Sequence, residues 1–256
     1  MIRPTSDNLI KLIEYGSLPF AYPARFFELW GLFLTDRKRV RELVHLSKQR
    51  LWFEAKRFKT IIDVGAYIGA FSFAMKTMLP DAAIYAFEPL EDNYKQLVQN
   101  MQAEKIFQAF NTALGDHLGE IEFWRNAFSP SSSILPIEEG HMQAFPMTQT
   151  SDCINVSLAR LDDYLDTMNF IPPVLLKMDV QGAEDKVIYG SKQALKQIDT
   201  IITEVSYRPL YKGQALFEDI YNLLIERGFR FGGKFDTLCS PIDGTILQSD
   251  ALFYRP

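Results

Sequence analysis

The sequence predicts a doubly wound α/β fold with a mostly parallel sheet, and two observations lead to this prediction. From residue 60 onward, short and nearly continuous apolar runs alternate with amphipathic segments. Such an alternation is typical of parallel strands that helices cover on both faces. Residues 1–58 precede the first strong strand and have a helical pattern, which Pro19 and Pro23 interrupt. We therefore expect an N-terminal helical cap at 1–58 and an α/β domain at 59–256.

Seven strands and four helices account for the predicted domain. The apolar runs place the strands at 60–64, 83–87, 107–111, 174–179, 200–205, 229–231 and 251–254. The helices are expected near 69–79, 91–103, 183–197 and 214–227. A turn region rich in Gly, Asp and Pro joins the last two strands, which indicates an antiparallel hairpin.

Residues 115–160 interrupt the alternation of strands and helices. Two strand-like runs, GEIEFW and CINVSLA, flank a polar stretch without periodicity. A loop of about 25 residues in a compact domain is usually functional or disordered. Because this insertion lies between the third and fourth strands, we expect it to reach over the ligand-binding edge of the sheet and to act as a substrate loop.

The composition describes a globular protein and argues against several classes. The chain has 256 residues, 47% of them hydrophobic, and a net charge of −5, which disfavours nucleic acid as a partner. No apolar run reaches the ~18–20 residues of a transmembrane segment, and the start lacks an export signal. Cys153 and Cys239 fit neither a disulfide framework nor a zinc cluster. We therefore expect a cytoplasmic protein.

One segment carries the opposite charge. Residues 36–59 contain nine Lys or Arg and three Asp or Glu, a local excess of +6 (9 − 3). This excess fits a docking face for an acidic substrate or a membrane surface. We favour a solvated helix face, because apolar residues recur at helical spacing beneath the charges.

The strongest local motif is the strand, turn and helix at 60–76, TIIDVGAYIGAFSFAMK. In a parallel sheet this places Asp63, Gly65 and Gly69 at the carboxyl end of the first strand, where ligands bind. The motif lacks the middle glycine of the dinucleotide fingerprint G-x-G-x-x-G, and the Asp63 carboxylate would repel a diphosphate. It therefore favours a zwitterionic or cationic ligand, although an Asp–Gly turn can also be purely structural.

Two further strand ends extend this motif into a nucleoside site. Glu88 ends the second strand, 23 residues after Gly65, where a carboxylate can accept hydrogen bonds from both ribose hydroxyls. Asn111 ends the third strand and could meet an adenine edge, or simply form the turn. Together these residues favour nucleoside binding.

With these motifs the sequence resembles the FkbM family of class I S-adenosylmethionine-dependent methyltransferases. The resemblance covers about 60–232 and rests on IIDVGAYIGAFS, YAFEP, NTALGD, SSSIL, LARLDDYL, LLKMDVQGAEDKVIYG and IITEVS. It implies a Rossmann-like seven-stranded methyltransferase domain that uses S-adenosylmethionine. It also implies O-methylation of a hydroxyl on a sugar, a polyketide or another secondary metabolite.

The resemblance also implies roles for individual residues. Asp63, Gly65 and Gly69 would surround the methionine part of the cofactor, Glu88 would hold the ribose, and Asn111 or its neighbours would flank adenine. One departure is Tyr67, where the family commonly has Asn. The predicted cofactor site comprises Asp63, Gly65, Ala66, Tyr67, Gly69, Glu88, Pro89, Asn111, Thr112 and Asp179.

Methyl transfer to an alcohol requires an aligned hydroxyl that loses its proton. Asp179, at the end of the fourth strand, is the predicted base or hydroxyl orienter. His141, in the polar loop, is an alternative base if that loop closes over the substrate. In a metal-assisted version of this mechanism, Mg²⁺ would be bound by Asp179, Glu184 and Glu204. Because Glu184 also suits a helix start and Glu204 a solvated strand end, we favour the version without a metal.

The expected partner is a small acceptor with a hydroxyl group on a sugar, a polyketide or a lipid-linked molecule. Its pocket should be built from the cap, the loop at 125–152 and the region 207–213. Two other functions share parts of the pattern. A nicotinamide-dependent oxidoreductase has the same strand, turn and acidic strand end, and a non-catalytic nucleoside-binding protein could keep the fold without the chemistry.

Overall fold

The computed structural model describes residues 17–35 and 37–256, without the side chains of residues 37–39. The rest of the predicted cap, residues 1–16 and 36, lies outside the described residues, and so does the segment on which the expectation about export rests. Within the described residues, no helix is both long and apolar enough to cross a membrane.

The main sheet has seven strands in the order β3-β2-β1-β7-β8-β10-β9, and β10 runs in the opposite direction to the other six. This arrangement confirms the predicted α/β fold and the antiparallel pair at its end. The strands of the described chain are β1 (Thr60–Val64), β2 (Ala83–Phe87), β3 (Phe107–Phe110), β4 (Ala113–Leu114), β5 (Gly119–Asn126), β6 (Ser151–Ala159), β7 (Val174–Met178), β8 (Thr200–Ser206), β9 (Arg230–Cys239) and β10 (Ile246–Tyr254).

Helices cover both faces of this sheet. Residues 17–21 are helical, and the later helices are α1 (Phe26–Thr35), α2 (Arg37–Ser47), α3 (Arg50–Lys56), α4 (Ala70–Met78), α5 (Glu91–Met101), α6 (Glu139–Ala144), α7 (Glu184–Tyr189) and α8 (Phe217–Glu226). On one face Leu43 of α2 and Phe53 of α3 share a core with Ile61 of β1. On the other face Val187 of α7 packs with Ile62, because successive strand residues point to opposite faces.

Three predicted elements, one helix and two strands, differ in length from the structure. The helix expected at 183–197 ends at Tyr189, and a 3-10 turn follows at Ala194–Gln197. The helix ends where Gly190 approaches another segment, since a Cβ there would lie 1.8 Å from the backbone O of Gly115. The last two strands are longer than predicted, because shifts of register within the hairpin break the regular alternation of side chains.

The insertion at 115–160 contains more structure than its sequence indicates. Its two strand-like ends form β5 and β6, which pair antiparallel. Together with β4 they form a second sheet in the order β4-β6-β5. The polar stretch between them contains α6 and short 3-10 turns. Such short elements give no periodic signal, because tertiary contacts rather than local repeats hold them.

Candidate active site

A cavity of about 740 Å³ opens at the carboxyl ends of β1, β2 and β7, which are adjacent in the sheet. Ligands bind at this edge of open parallel sheets, and the volume is typical of small-molecule sites, which span about 300–1,000 Å³. Helix α2, the 115–160 insertion and the β9–β10 pair supply other walls. The insertion therefore contributes wall residues at this edge of the sheet.

The turn after β1 requires glycine at position 65. Gly65 has φ +79°, and a Cβ there would lie 1.9 Å from the backbone O of Asp179. The N–H groups of Gly65 and Ala66 each donate to the backbone O of Phe87 at 3.0 Å. The turn thus packs directly against the ends of β7 and β2, and both Gly65 and Ala66 line the cavity.

Glu88 follows β2 directly, and its buried side chain lines the cavity. Its Oε2 accepts a hydrogen bond from the backbone N–H of Tyr67 at 2.9 Å. Its Oε1 accepts from the backbone N–H of Leu90 at 3.0 Å and from Asn93 Nδ2 at 3.1 Å. Burial raises the pKa of Glu88 to about 7, although these donors oppose the shift. Because a carboxylate oxygen has two lone pairs, Oε2 can still accept a hydrogen bond from a ligand hydroxyl.

Tyr67, Pro89 and Thr112 also line the cavity. Tyr67 has φ +51°, in the left-handed region that Asn adopts more readily than an aromatic residue. The Asn common at this position in the resembled family therefore suits the backbone conformation better than Tyr67 does.

Asp63 lies behind the cavity wall instead of on it. It is fully buried, and its Oδ2 accepts a hydrogen bond from Ser72 Oγ at 2.7 Å. Its Oδ1 has no hydrogen-bond partner among the described residues but lies 3.8 Å from Lys177 Nζ. Burial raises the pKa of Asp63, and the Lys177 charge opposes that shift.

Gly69 and Asn111 shape the site without lining the cavity. A Cβ at Gly69 would lie 2.6 Å from Leu97 Cδ1, so this glycine lets the start of α4 approach α5. Asn111 Nδ2 donates to the backbone oxygens of Glu88 at 2.9 Å and Pro89 at 3.0 Å. Asn111 therefore holds the turn that presents the Glu88 carboxylate.

Asp179 lies on the cavity wall just after β7, with a hydrogen bond to each carboxylate oxygen. Gln181 Nε2 donates to Oδ1 at 2.6 Å, and Lys177 Nζ donates to Oδ2 at 3.0 Å. Gln181 Oε1 in turn accepts a hydrogen bond from the Tyr211 hydroxyl at 2.7 Å. These bonds fix the orientation of Asp179, while 37% of its side chain remains exposed to a ligand.

Glu184, one of the predicted metal ligands, accepts hydrogen bonds from the backbone. Its Oε1 accepts hydrogen bonds from the backbone N–H groups of Val180 at 3.0 Å and Gly182 at 3.3 Å. Burial raises the pKa of Glu184 to about 7. Glu204 lines the cavity, and its Oε2 accepts from Gln248 Nε2 at 2.7 Å. Within the described part of the chain, no three His, Cys, Asp or Glu side chains are grouped to hold a metal.

His141, the alternative base, lies away from the cavity. Its ring is buried against the rings of Phe145 and Tyr211, with centroid separations of 5.3 and 5.4 Å. Burial lowers the pKa of His141, which favours the neutral imidazole. The structure does not bring His141 together with Asp179 at the cavity wall.

The β9–β10 pair supplies wall residues that the sequence did not point to, whereas α2 supplies wall residues from within the expected cap. The expected region 207–213 does not line the cavity. His45 Nε2 lies 3.5 Å from Asp236 Oδ2 and so links α2 to β9. No local signal identifies these residues, because their position depends on how α2 packs against the sheet. They are Arg41, Glu42, His45, Phe235, Asp236 and Asp250.

The geometry fits a nucleoside that carries a positive charge. Glu88 presents a carboxylate to the cavity, and the apolar residues Phe87, Leu114 and Phe123 line the same space. Asp179 adds a carboxylate at the end of β7, on the other side of β1, where a cationic group would be attracted. The sheet order and the carboxylates of this cavity agree with the S-adenosylmethionine-dependent methyltransferase class that the sequence resembles.

The chain belongs to the FkbM methyltransferase family. The Methyltransferase FkbM domain matches residues 63–231, which are 169 of the 256 residues. This membership decides against the nicotinamide-dependent oxidoreductase. Two motifs of the family, the β1 turn with Gly65 and the β7 end with Asp179, meet at the cavity.

Curated relatives of this chain are methyltransferases. The 2-O-methyltransferase NoeI of Sinorhizobium fredii is 28% identical over 211 residues, 76% of this chain and 86% of that protein. The hexuronic acid methyltransferase AglP of Haloferax volcanii is 24% identical over 190 residues, 72% of this chain and 71% of that protein. A solved methyltransferase from Aquifex aeolicus has 12% identity and a TM-score of 0.43, over 86% of this chain and 94% of that one.

Proposed function

We propose that this enzyme methylates a hydroxyl group of a sugar or another secondary metabolite and that Asp179 receives the hydroxyl proton. The observation that carries the proposal is the position of Asp179, fixed by Gln181 and Lys177 at the cavity wall and still partly exposed. Two relatives are named for 2-O-methylation and for a hexuronic acid. Their names support a sugar hydroxyl as the acceptor.

The cavity residues would hold S-adenosylmethionine in one extended orientation. Glu88 would accept the ribose hydroxyls, Gly65 and Tyr67 would lie along the methionine part, and Thr112 would lie near the base. When bound, the cofactor supplies an electrophilic methyl carbon. Asp63, Gly69 and Asn111 would act indirectly, by holding the residues that line the cavity.

Asp179 would orient the acceptor hydroxyl and take its proton as the oxygen reacts. The hydrogen bonds from Gln181 and Lys177 hold the carboxylate in place before the acceptor arrives. Such preorganisation removes much of the entropic cost of alignment. A positioned general base contributes roughly 10²–10⁴-fold to the rate.

The first experiment is a thermal-shift titration with S-adenosylmethionine, S-adenosylhomocysteine and NAD, with and without Mg²⁺. A ligand at about 100 times its dissociation constant stabilises the fold by roughly 2.7 kcal/mol, a rise of roughly 5–11 °C in Tm at this size. We expect both methionine nucleosides to stabilise the protein and NAD to leave Tm unchanged. Stabilisation by NAD alone would contradict the proposal.

The second experiment measures methyl transfer from labelled S-adenosylmethionine to a panel of methyl glycosides and uronic acids. Asp179→Asn should lower kcat by about 10²-fold or more and leave the affinity for S-adenosylhomocysteine within a fewfold of wild type. Asp81→Asn, at an exposed position away from the cavity, is the matched control. Cofactor binding without transfer to any acceptor would favour a non-catalytic protein.

A further inference from the structure

Lys177 is a charged residue within a buried strand. Its neighbours on β7, Leu176 and Met178, are completely buried. Placing an ammonium among apolar side chains is costly unless it is paired and hydrogen-bonded. Its side chain is only 15% exposed and lines the cavity. No motif of the sequence indicates a role for this lysine.

The Lys177 ammonium retains hydrogen-bonding capacity toward the cavity. An ammonium carries three N–H donors, and within the described part of the chain Nζ donates one hydrogen bond, to Asp179 Oδ2 at 3.0 Å. Asp63 Oδ1, at 3.8 Å, is too distant for a hydrogen bond. The Phe71 ring centroid lies 5.5 Å from Nζ. A donor therefore remains for a ligand, beside the carboxylate that would take the proton.

We propose that Lys177 donates a hydrogen bond to the acceptor oxygen and thereby selects hydroxyl over amine acceptors. This inference rests on the proposed function. A hydroxyl group both donates and accepts hydrogen bonds, so the adjacent Lys177 and Asp179 would hold it from both sides. The new C–O bond forms as the C–S bond breaks, the electron pair of that bond stays on sulfur, and the hydroxyl proton passes to Asp179.

The charge of Lys177 persists through this step. Burial alone lowers the pKa of Lys177, but the carboxylates of Asp179 and Asp63 reverse that effect and raise the pKa above its usual value. The ammonium therefore stays protonated at neutral pH and acts as a donor. It leaves the role of base to Asp179.

The selectivity follows from the charge that develops on the nucleophile. A hydroxyl oxygen gains negative character as its proton leaves, and a nearby ammonium stabilises that charge. An amine nitrogen gains positive charge as it is methylated, and the same ammonium repels it. Lys177 therefore favours oxygen over nitrogen at the same position of an otherwise identical acceptor.

The test compares two acceptors and three enzymes. The acceptors are the best methyl glycoside from the panel and its analogue with an amino group in place of the methylated hydroxyl. We expect Lys177→Met to lower kcat for the hydroxyl acceptor by about 10²-fold and to raise the amine-to-hydroxyl ratio of kcat/KM by about tenfold or more. Lys177→Arg keeps the charge and should keep the wild-type ratio.

Two controls separate this role from a structural one. Lys76 is also buried, and its Nζ donates to the backbone oxygens of Pro80 at 2.8 Å and Ala82 at 2.9 Å. Because Lys76 lies away from the cavity, Lys76→Met should lower Tm without changing the acceptor ratio. The double variant Lys177→Met with Asp63→Asn avoids a buried unpaired carboxylate and should reproduce the loss of selectivity in a folded protein.

A measurement without turnover completes the test. Calorimetric titration of the methyl glycoside into protein saturated with S-adenosylhomocysteine should give a Kd about tenfold weaker for the double variant, as expected for the loss of a charged hydrogen bond. An unchanged Kd and an unchanged acceptor ratio in the double variant would overturn the role of Lys177. A wild-type enzyme that methylates no hydroxyl would instead contradict the proposed function itself.

Discussion

The Glu88 carboxylate accepts a hydrogen bond of 2.9 Å from the backbone N–H of Tyr67. Tyr67 lies in the turn after β1, and Glu88 follows β2, so this bond joins two adjacent strand ends. Both residues also line the cavity. The carboxylate proposed to hold the ribose therefore also holds the turn that is proposed to lie along the methionine part.

Glu88→Gln should therefore weaken cofactor binding and the fold together. The amide replaces one acceptor oxygen by a donor, so the backbone N–H of Tyr67 or of Leu90 would lose its partner. An unsatisfied buried donor costs about 1–3 kcal/mol. We expect urea unfolding to show a loss of that size in the free energy of unfolding. Calorimetry should show at least tenfold weaker binding of S-adenosylhomocysteine. Glu91→Gln, at an exposed position, should change neither quantity.

The buried Glu184 predicts a pH dependence of stability. Burial raises its pKa from 4.5 to about 7, so between these values the folded state binds a proton that the unfolded state has lost. Glu184 therefore makes its full contribution to the free energy of unfolding below pH 4.5, and that contribution is lost as the pH rises to 7. A shift of this size corresponds to about 3 kcal/mol.

Glu184→Gln removes this titration and keeps an oxygen for the N–H groups of Val180 and Gly182. We expect the variant to be more stable than wild type at pH 8 and similar to it at pH 4.5. Urea unfolding at a series of pH values measures the difference. A constant difference across this range would contradict the assignment of the titration to Glu184.

Gly65→Ala should abolish cofactor binding. The added Cβ would lie 1.9 Å from the backbone O of Asp179, at a residue with φ +79°, so β1 and β7 would have to separate. We expect a loss of several kcal/mol of stability and no detectable binding of S-adenosylhomocysteine. Gly140→Ala is the matched control, because a Cβ there meets no atom within 4 Å. Normal binding by Gly65→Ala would show that the turn does not contact the cofactor.

Tyr67→Asn should stabilise the protein. Its φ of +51° lies in the left-handed region, where Asn is better tolerated than Tyr. We expect a gain of about 0.5–1 kcal/mol in the free energy of unfolding, the size of similar backbone substitutions. The hydrogen bond from the backbone N–H of residue 67 to Glu88 remains in this variant. The affinity for the cofactor should therefore fall only by the contribution of the contact that the Tyr67 ring makes. A loss of stability would mean that the aromatic packing outweighs the strain.

The position of several strand-end residues at one edge of the sheet was predictable because local sequence carries it. The turn at Gly65 and the strand ends at Glu88 and Asp179 are each encoded within a few residues. Parallel strand ends meet at one edge of a sheet, so their proximity followed from the predicted topology. Sequence alone did not separate Ala66, which lines the cavity, from Gly69, which packs α4 against α5.

Other parts of the cavity wall depend on contacts between distant segments. The sequence pointed to the cap, which supplies α2, and to 207–213, whereas the β9–β10 pair rather than 207–213 lines the cavity. It also proposed His141, which the structure buries beside Tyr211. Neither placement has a periodic or local signal, because both result from the packing of elements far apart in the chain.

The sequence by itself therefore determined the α/β class, the methyltransferase family and the residues at the ends of β1, β2 and β7. Apolar periodicity and turn chemistry are local properties and can be read along the chain. Only the tertiary structure decided that Lys177 faces both Asp63 and Asp179. Asp63 and Lys177 are 114 positions apart (177 − 63), and they become partners because β1 and β7 pair in that register.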